Sequence, residues 1–214
     1  MLSLTQVLLY LLGDVVCVSS VLLSISQILV LGGLVYYYLL LLASVPKSKH
    51  VSQPSRSPSR SFAIAIPAHN EEAILTETLS SLKVLDYPPD LFDIYVVADY
   101  CDDRTVQVAC ESGALCYERN EGPRGRKVYA LKWLLEQILA ESRNYDAFVV
   151  FDADSKVERN FLRIMDTMLS EGHRVLQGRH VIITPQSNRF SGLADVDMRL
   201  NNLLRNKAKC NLGL

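Results

Sequence analysis

From Phe62 onward, short apolar runs alternate with amphipathic stretches, and nearly every apolar run breaks off in polar residues. The runs are Phe62–Ile66, Ile94–Ala98, Ala114–Tyr117 and Ala147–Phe151, each with the length of a strand rather than of a helix. Between them the apolar spacing is helical. Leu75, Leu79 and Leu82 share one stripe, a short helix is expected around Val106 to Cys110, and Val128 to Ala140 turns Leu131, Leu134, Leu135, Ile138 and Leu139 inward. A further helix is expected near Asn160 to Ser170. Alternation of this kind predicts an α/β fold with a doubly wound parallel sheet and right-handed crossovers. Ala147 to Phe151 has no polar interruption, which predicts a strand buried on both faces. Beyond it, Val175 to Ile183 is strand-like, and Leu193 to Lys209 reads as a helix with Leu200, Leu203 and Leu204 apolar.

The polar breaks carry the chemistry. Pro67-Ala68-His69-Asn70-Glu71 follows the first run, Asp99 with Asp102 and Asp103 follows the second, and Asp152-Ala153-Asp154 follows the last. In a parallel sheet the strand ends share one edge, so these clusters converge on one crevice. Asn70 is placed to cap a helix opening at Glu71 and Glu72. Two hard oxygen ligands, Asp152 and Asp154, suit a divalent cation that also holds a phosphate. A D-x-D alone also serves as a turn or a cap. No G-x-G-x-x-G follows the first run and no G-x-x-x-x-G-K-[ST] occurs, so neither a dinucleotide turn nor a P-loop is present. Arg124-Gly125-Arg126-Lys127 opens a helix and could supply cations beside its positive end, although such a loop is commonly a solvated turn. His69 fits a structural place in its loop as well as a ligand contact. His173 and His180 read as surface or sheet residues, and Trp133 as core.

Ahead of this region, Val21 to Ala43 contains no charge. It is long enough to cross a bilayer core, which takes about 20 apolar residues. A cleaved signal peptide fits poorly, since no basic segment leads it. Whether Leu2 to Val18 adds a second span turns on Asp14, which is costly within a membrane helix. Lys47, Lys49, His50, Arg56 and Arg60 follow with no acid before Glu71, which keeps this flank on the cytoplasmic side. The expected domains are a membrane anchor over 1–45 (main span 21–43), a basic Ser/Pro-rich linker over 46–61, and a folded domain over 62–214. With 22 Lys and Arg against 23 Asp and Glu, the chain lacks the basic surplus of a nucleic-acid binder. Its 5 cysteines form no C-x-x-C pair and read as reduced thiols.

Taken in order, Ile66 to Glu72, Val96 to Thr105, Gly125-Arg126-Lys127 with Ala130-Leu131, and Phe151 to Asp154 resemble a family 2 glycosyltransferase. The resemblance runs from about Phe62 to Leu214. It implies a GT-A (Rossmann-like) nucleotide-diphospho-sugar transferase fold, in partial form, behind one membrane helix or two. It further implies that Pro67, Ala68, Asn70 and Glu71 line the nucleotide pocket and that Asp99 meets the base, usually uracil. Lys127 would lie near the nucleotide, Asp152 would contact nucleotide or sugar, and Asp154 with Asp152 would hold Mn²⁺ or Mg²⁺. The expected partners are a nucleotide-sugar donor, a lipid or polysaccharide acceptor and the membrane. The family's general base belongs to a later acidic motif that these residues do not contain. The chain is therefore expected to be truncated before the acceptor half, with a second chain or a longer reading frame completing it. Gln177-Gly178-Arg179 stands where the family often lines the acceptor site, while Asp195 and Asp197 match no motif and read as solvated. A donor-binding remnant without transfer activity is the alternative. A phosphatase of the haloacid dehalogenase kind is disfavoured, because Asp102-Asp103 precedes the D-x-D.

Overall fold

A computed structural model describes residues 4–45, 57–181 and 189–212. The chain divides into two compact units, Val51–Leu176 and a second one made of Met1–His50 with Gln177–Leu214. The second unit begins with α1 (Leu4–Ser44), one unbroken helix of 41 residues. Leu4 to Val18 and Val21 to Ala43 therefore share a helix instead of forming two spans. Its length is about 60 Å at 1.5 Å per residue, roughly twice a hydrocarbon core. Val16–Ser44 is long and apolar enough to cross a membrane, and its window is unburied by protein. The serine hydroxyls there are satisfied within the helix. Ser19, Ser20, Ser24 and Ser26 each donate to a carbonyl one turn earlier, at 2.7 to 2.9 Å. That removes their need for water. Residues 46–56 of the expected linker lie outside the described residues.

The larger unit is a four-stranded parallel sheet with helices on both faces. Its elements in chain order are β1 (Phe62–Ala68), α2 (Leu75–Lys83), β2 (Phe92–Asp99), α3 (Thr105–Glu111), β3 (Leu115–Arg119), α4 (Lys127–Ala140), β4 (Ala147–Val150) and α5 (Phe161–Ser170). Strand order is β3-β2-β1-β4. Central β1 is buried throughout because both of its faces are covered. Phe62, Ile64 and Ile66 join Leu75, Leu79, Leu82, Ala109 and Leu162 on the side of α2, α3 and α5. Ala63 and Ala65 join Ala130, Leu134 and Ile138 on the side of α4, where small alanine side chains let the helix sit close. Ala68 pairs with Ala98, and Ala65 with Val150, so the strand ends meet at one edge. The chain steps outward from β1 to β2 and β3, then returns to β4 on the other side of β1. A ligand crevice belongs at such a reversal.

Several expectations need correction. β4 is an edge strand, and Phe148 and Val150 are 40% and 48% exposed, because α4 covers β1 and β2 and leaves that side of β4 open. Its other face, with Val149 and Phe151, does pack on the core. Leu139 points outward, since the buried stripe of α4 runs Ala130, Leu134 and Ile138 at fourfold spacing. β3 ends at Arg119, two residues beyond Tyr117. Val175 to Val181 forms no strand, and residues 182–183 lie outside the described residues.

In the second unit, α6 (Arg189–Leu200), a π-helical stretch (Asn201–Asn206) and α7 (Lys207–Leu212) form one continuous helical run. Asn211 Nδ2 donates to the carbonyls of Ala43 at 2.9 Å and Val45 at 3.3 Å. It thereby satisfies acceptors that the end of α1 leaves open. Asp195 is buried rather than solvated and accepts from Arg199 Nε at 2.7 Å, whereas Asp197 is exposed beside Asn201.

Candidate functional site

The carboxyl ends of β1, β2 and β4 and the start of α4 enclose an open pocket of about 890 Å³. Pro67, Ala68, Asn70 and Glu71 line it from the first strand end, Asp99 from the second, and Asp152 and Asp154 from the fourth. Lys127 enters from the first turn of α4. All residues read from the sequence as nucleotide-sugar or metal contacts thus face one space. Gln177–Arg179 belong to the other unit.

The loops after β1 and β2 are stitched together by their own side chains. Asn70 adopts φ 54, a left-handed conformation that asparagine tolerates better than most residues. It does not cap a helix, because α2 starts only at Leu75 after a turn at Glu71 to Ile74. Instead Asn70 Oδ1 accepts from the Asp102 N–H at 3.0 Å. The Glu71 N–H donates to Thr105 Oγ1 at 2.9 Å, and the Glu72 N–H donates to Asp103 Oδ2 at 3.1 Å. Burial alone would raise the Asp103 carboxyl. The hydroxyl and N–H of Thr105 and the N–H of Glu72 outweigh it and hold the group below the usual carboxylate range. Cys101 donates to the Ala68 carbonyl at 3.6 Å, and burial pushes its thiol up, so it is a protonated packing residue and not a nucleophile. The described cysteines are all free thiols.

Asp99 is held twice. Arg119, the last residue of β3 and its register partner, donates from Nη1 to Asp99 Oδ1. His69 Nδ1 lies 2.6 Å from the Asp99 carbonyl, and since a carbonyl only accepts, that nitrogen carries the proton. Arg119 also donates from Nη2 to the Pro123 carbonyl at 2.9 Å, tying the basic loop to the strand ends. Its Nε is buried without a partner among the described residues. The aspartates after β4 are arranged otherwise. Ala153 is buried, and its carbonyl accepts from the Thr78 hydroxyl of α2 at 2.6 Å. Pinning the middle residue leaves Asp152 and Asp154 facing solvent on either side. Asp152 pairs with Lys127 at the pocket wall.

This donor set fits a magnesium- or manganese-type ion. Such ions take one or two carboxylates from protein and complete their shell with phosphate and water. Among the described residues no group of three His, Cys, Asp or Glu gathers into an all-protein cage, so any cation here would be shared with a ligand.

Sequence reasoning missed Arg119, which holds Asp99, and Asn120, which lines the pocket. One signal for Arg119 was present: a charged residue closing an apolar strand, with an acid closing the neighbouring strand, pairs across a parallel sheet. Finding it required the register.

A parallel sheet with its crevice at the order reversal is an α/β architecture that GT-A glycosyltransferases share. The mannosyltransferase PcManGT from Pyrobaculum calidifontis, solved with GDP-Man and Mn²⁺, has this fold. It superposes with a TM-score of 0.53 at 22% identity, covering 64% of this chain and 39% of that one. The sequence profile described as glycosyl transferase family 2 matches residues 63–211, and the chain belongs to that family. Beta-monoglucosyldiacylglycerol synthase of Synechocystis sp. is 28% identical over 153 residues, which is 69% of this chain and 31% of that protein. The probable glycosyltransferase YdaM of Bacillus subtilis is 33% identical over 105 residues, 45% of this chain and 23% of its own. The chain therefore spans less than a third of the length of these curated relatives.

Proposed function

We propose that this chain binds a nucleoside-diphosphate sugar, a UDP-sugar in the first instance, for metal-dependent transfer to a lipid or polysaccharide acceptor at the cytoplasmic membrane face. One observation carries the reading: two strand ends and the first turn of α4 bring Asp99, the Asp152–Asp154 pair and Lys127 to a single pocket large enough for a nucleotide sugar. The proposed organisation is an anchor over 1–45, a tether over 46–61 and a transferase domain over 62–214. The charge pattern after α1 supports the cytoplasmic side, and the diacylglycerol named in the Synechocystis relative supports a lipid acceptor.

In this reading Asp99, held by Arg119, would orient the base. Lys127 and the neighbouring arginines would meet the phosphates. Asp154 with Asp152 would hold Mn²⁺ or Mg²⁺, which when bound offsets the charge growing on the leaving diphosphate. Lys127 and Asp152 are partners of one another in the pocket wall, so binding in this reading would exchange that pair for phosphate on the lysine and metal on the carboxylate. No carboxylate among these residues is assigned as the base that deprotonates the acceptor.

The test is titration of the full chain in detergent with UDP- and GDP-sugars, with Mn²⁺ and with chelator, followed by assay for transfer and hydrolysis. Saturable binding lost on chelation is expected, and GDP is included because the Pyrobaculum structure holds GDP-Man. Failure of both donors to bind would overturn the reading. A second reading, donor binding without transfer by this stretch alone, is favoured by its 31% share of the Synechocystis relative. Binding with neither transfer nor hydrolysis would select it.

A further inference from the structure

Tyr100 shares the left-handed backbone of Asn70 in the pocket, but with a bulky side chain. Its φ is 53, the left-handed region in which a bulky side chain is rare and which clusters at functional sites. Two hydrogen bonds and two guanidinium contacts hold it there. Its N–H donates to the Arg119 carbonyl at 2.9 Å, and its hydroxyl donates to the Gly122 carbonyl at 2.7 Å. The Arg124 guanidinium lies over its ring, 4.0 Å from the centroid, with Arg119 beside the ring at 5.5 Å. The loop itself is shaped to close on this ring. Gly122 has φ 85, and a Cβ there would meet Arg119 Nη2 at 3.0 Å, so any other residue would strain the backbone and crowd that guanidinium. Arg124 lines the pocket and has no carboxylate partner among the described ion pairs, in contrast to Lys127.

We infer that Tyr100 is a positioning residue that acts through Arg124, presenting its guanidinium to the diphosphate of the donor; this rests on the nucleotide-sugar reading above. A guanidinium stacked on an aromatic face loses rotational freedom while its edge N–H groups stay open to acceptors in its own plane. Phosphate oxygens are such acceptors, and they take a guanidinium through two parallel bonds. The left-handed backbone at Tyr100 is what turns the ring across the loop instead of along the strand. The hydroxyl bond to Gly122 then fixes the ring at the height of Arg124. Because the contact is to phosphate, the device serves any base.

The experiment measures binding of uridine, UMP and UDP to the full chain in detergent, for wild type, Tyr100→Phe, Tyr100→Gly, Arg124→Gln and the double variant Tyr100→Gly/Arg124→Gln. Glycine relieves the left-handed backbone at this position, and thermal unfolding of every variant separates lost binding from lost folding. Tyr100→Gly should weaken UDP about tenfold and leave uridine unchanged, while Tyr100→Phe keeps most of the affinity through the retained stack. The double variant should bind UDP no worse than Arg124→Gln alone, the mark of one residue acting through the other. The inference is overturned if Tyr100→Gly weakens uridine as much as UDP, which would make the ring a base platform, or if the two losses add. Wild-type chain that binds none of the three would bring down the nucleotide reading as well. Wild-type binding with additive losses would bring down this inference alone.

Discussion

The pocket holds two ion pairs built for opposite purposes. Arg119 and Asp99 have side chains only 3% and 13% exposed, at the junction of β2 and β3. Lys127 and Asp152 are 49% and 52% exposed, across the mouth between α4 and the turn after β4. A buried pair is costly to assemble and more costly to break, because the survivor is left charged in a poor solvent. An exposed pair is worth little to the fold and can exchange partners freely. The first pair therefore acts as architecture that fixes Asp99 at the pocket wall. The second leaves its members free to exchange partners. On the proposed function, this contrast in burial would make the base end rigid and the phosphate end exchangeable.

The largest effect should come from the buried pair. Arg119→Met should lower stability by about 3 kcal/mol in urea unfolding, and adding Asp99→Leu should recover most of that loss. A single-variant cost under about 1 kcal/mol would mean that the site is wetter than it looks. Next in size is Thr78→Val, which leaves the Ala153 carbonyl without its buried donor. About 1 to 2 kcal/mol should be lost, together with Mn²⁺-dependent donor affinity, because the turn carrying both aspartates loosens. If stability falls while affinity holds, the hydroxyl does not organise the carboxylates.

Lys127→Gln should change stability by less than about 1 kcal/mol. It should nevertheless weaken UDP roughly tenfold in calorimetry, the scale of a lost charged hydrogen bond. Equal effects on both quantities would erase the contrast between the pairs. The smallest effect is on acid sensitivity. Asp103 is held below its ordinary value of 3.8, so its contribution is complete above that pH. The contribution disappears as pH falls through the lower folded value. Asp103→Asn should flatten that acid limb of the stability curve, whereas Asp152→Asn should leave it in place.

Much of this site was legible in the linear chain. Pro67 to Glu71, Asp99, Asp152 and Asp154 stood at the ends of apolar runs, and parallel topology obliges such ends to meet, while Lys127 opened a helix. Leu75, Leu79 and Leu82 announced the buried face of α2 for the same local reason, since helical spacing is a property of consecutive residues. The misreadings have a different origin. Ala147 to Val150 looked like a central strand because a run of apolar residues records hydrophobicity and not the position of a strand in a sheet. Asn70 looked like a cap because its reach to the Asp102 N–H depends on a loop far along the chain.

The sequence by itself determined the alternation of elements, the apolar N-terminal helix and the residue types at the strand ends. These rest on periodicity, charge and length, which neighbours in the chain express without help. The tertiary structure alone decided that Arg119 is buried against Asp99, that Tyr100 is strained beneath Arg124, and that Ala153 is pinned so its flanking aspartates face outward. Each depends on strand register or on a hydrogen bond between distant segments, and burial changes the worth of a charge only once those segments have come together.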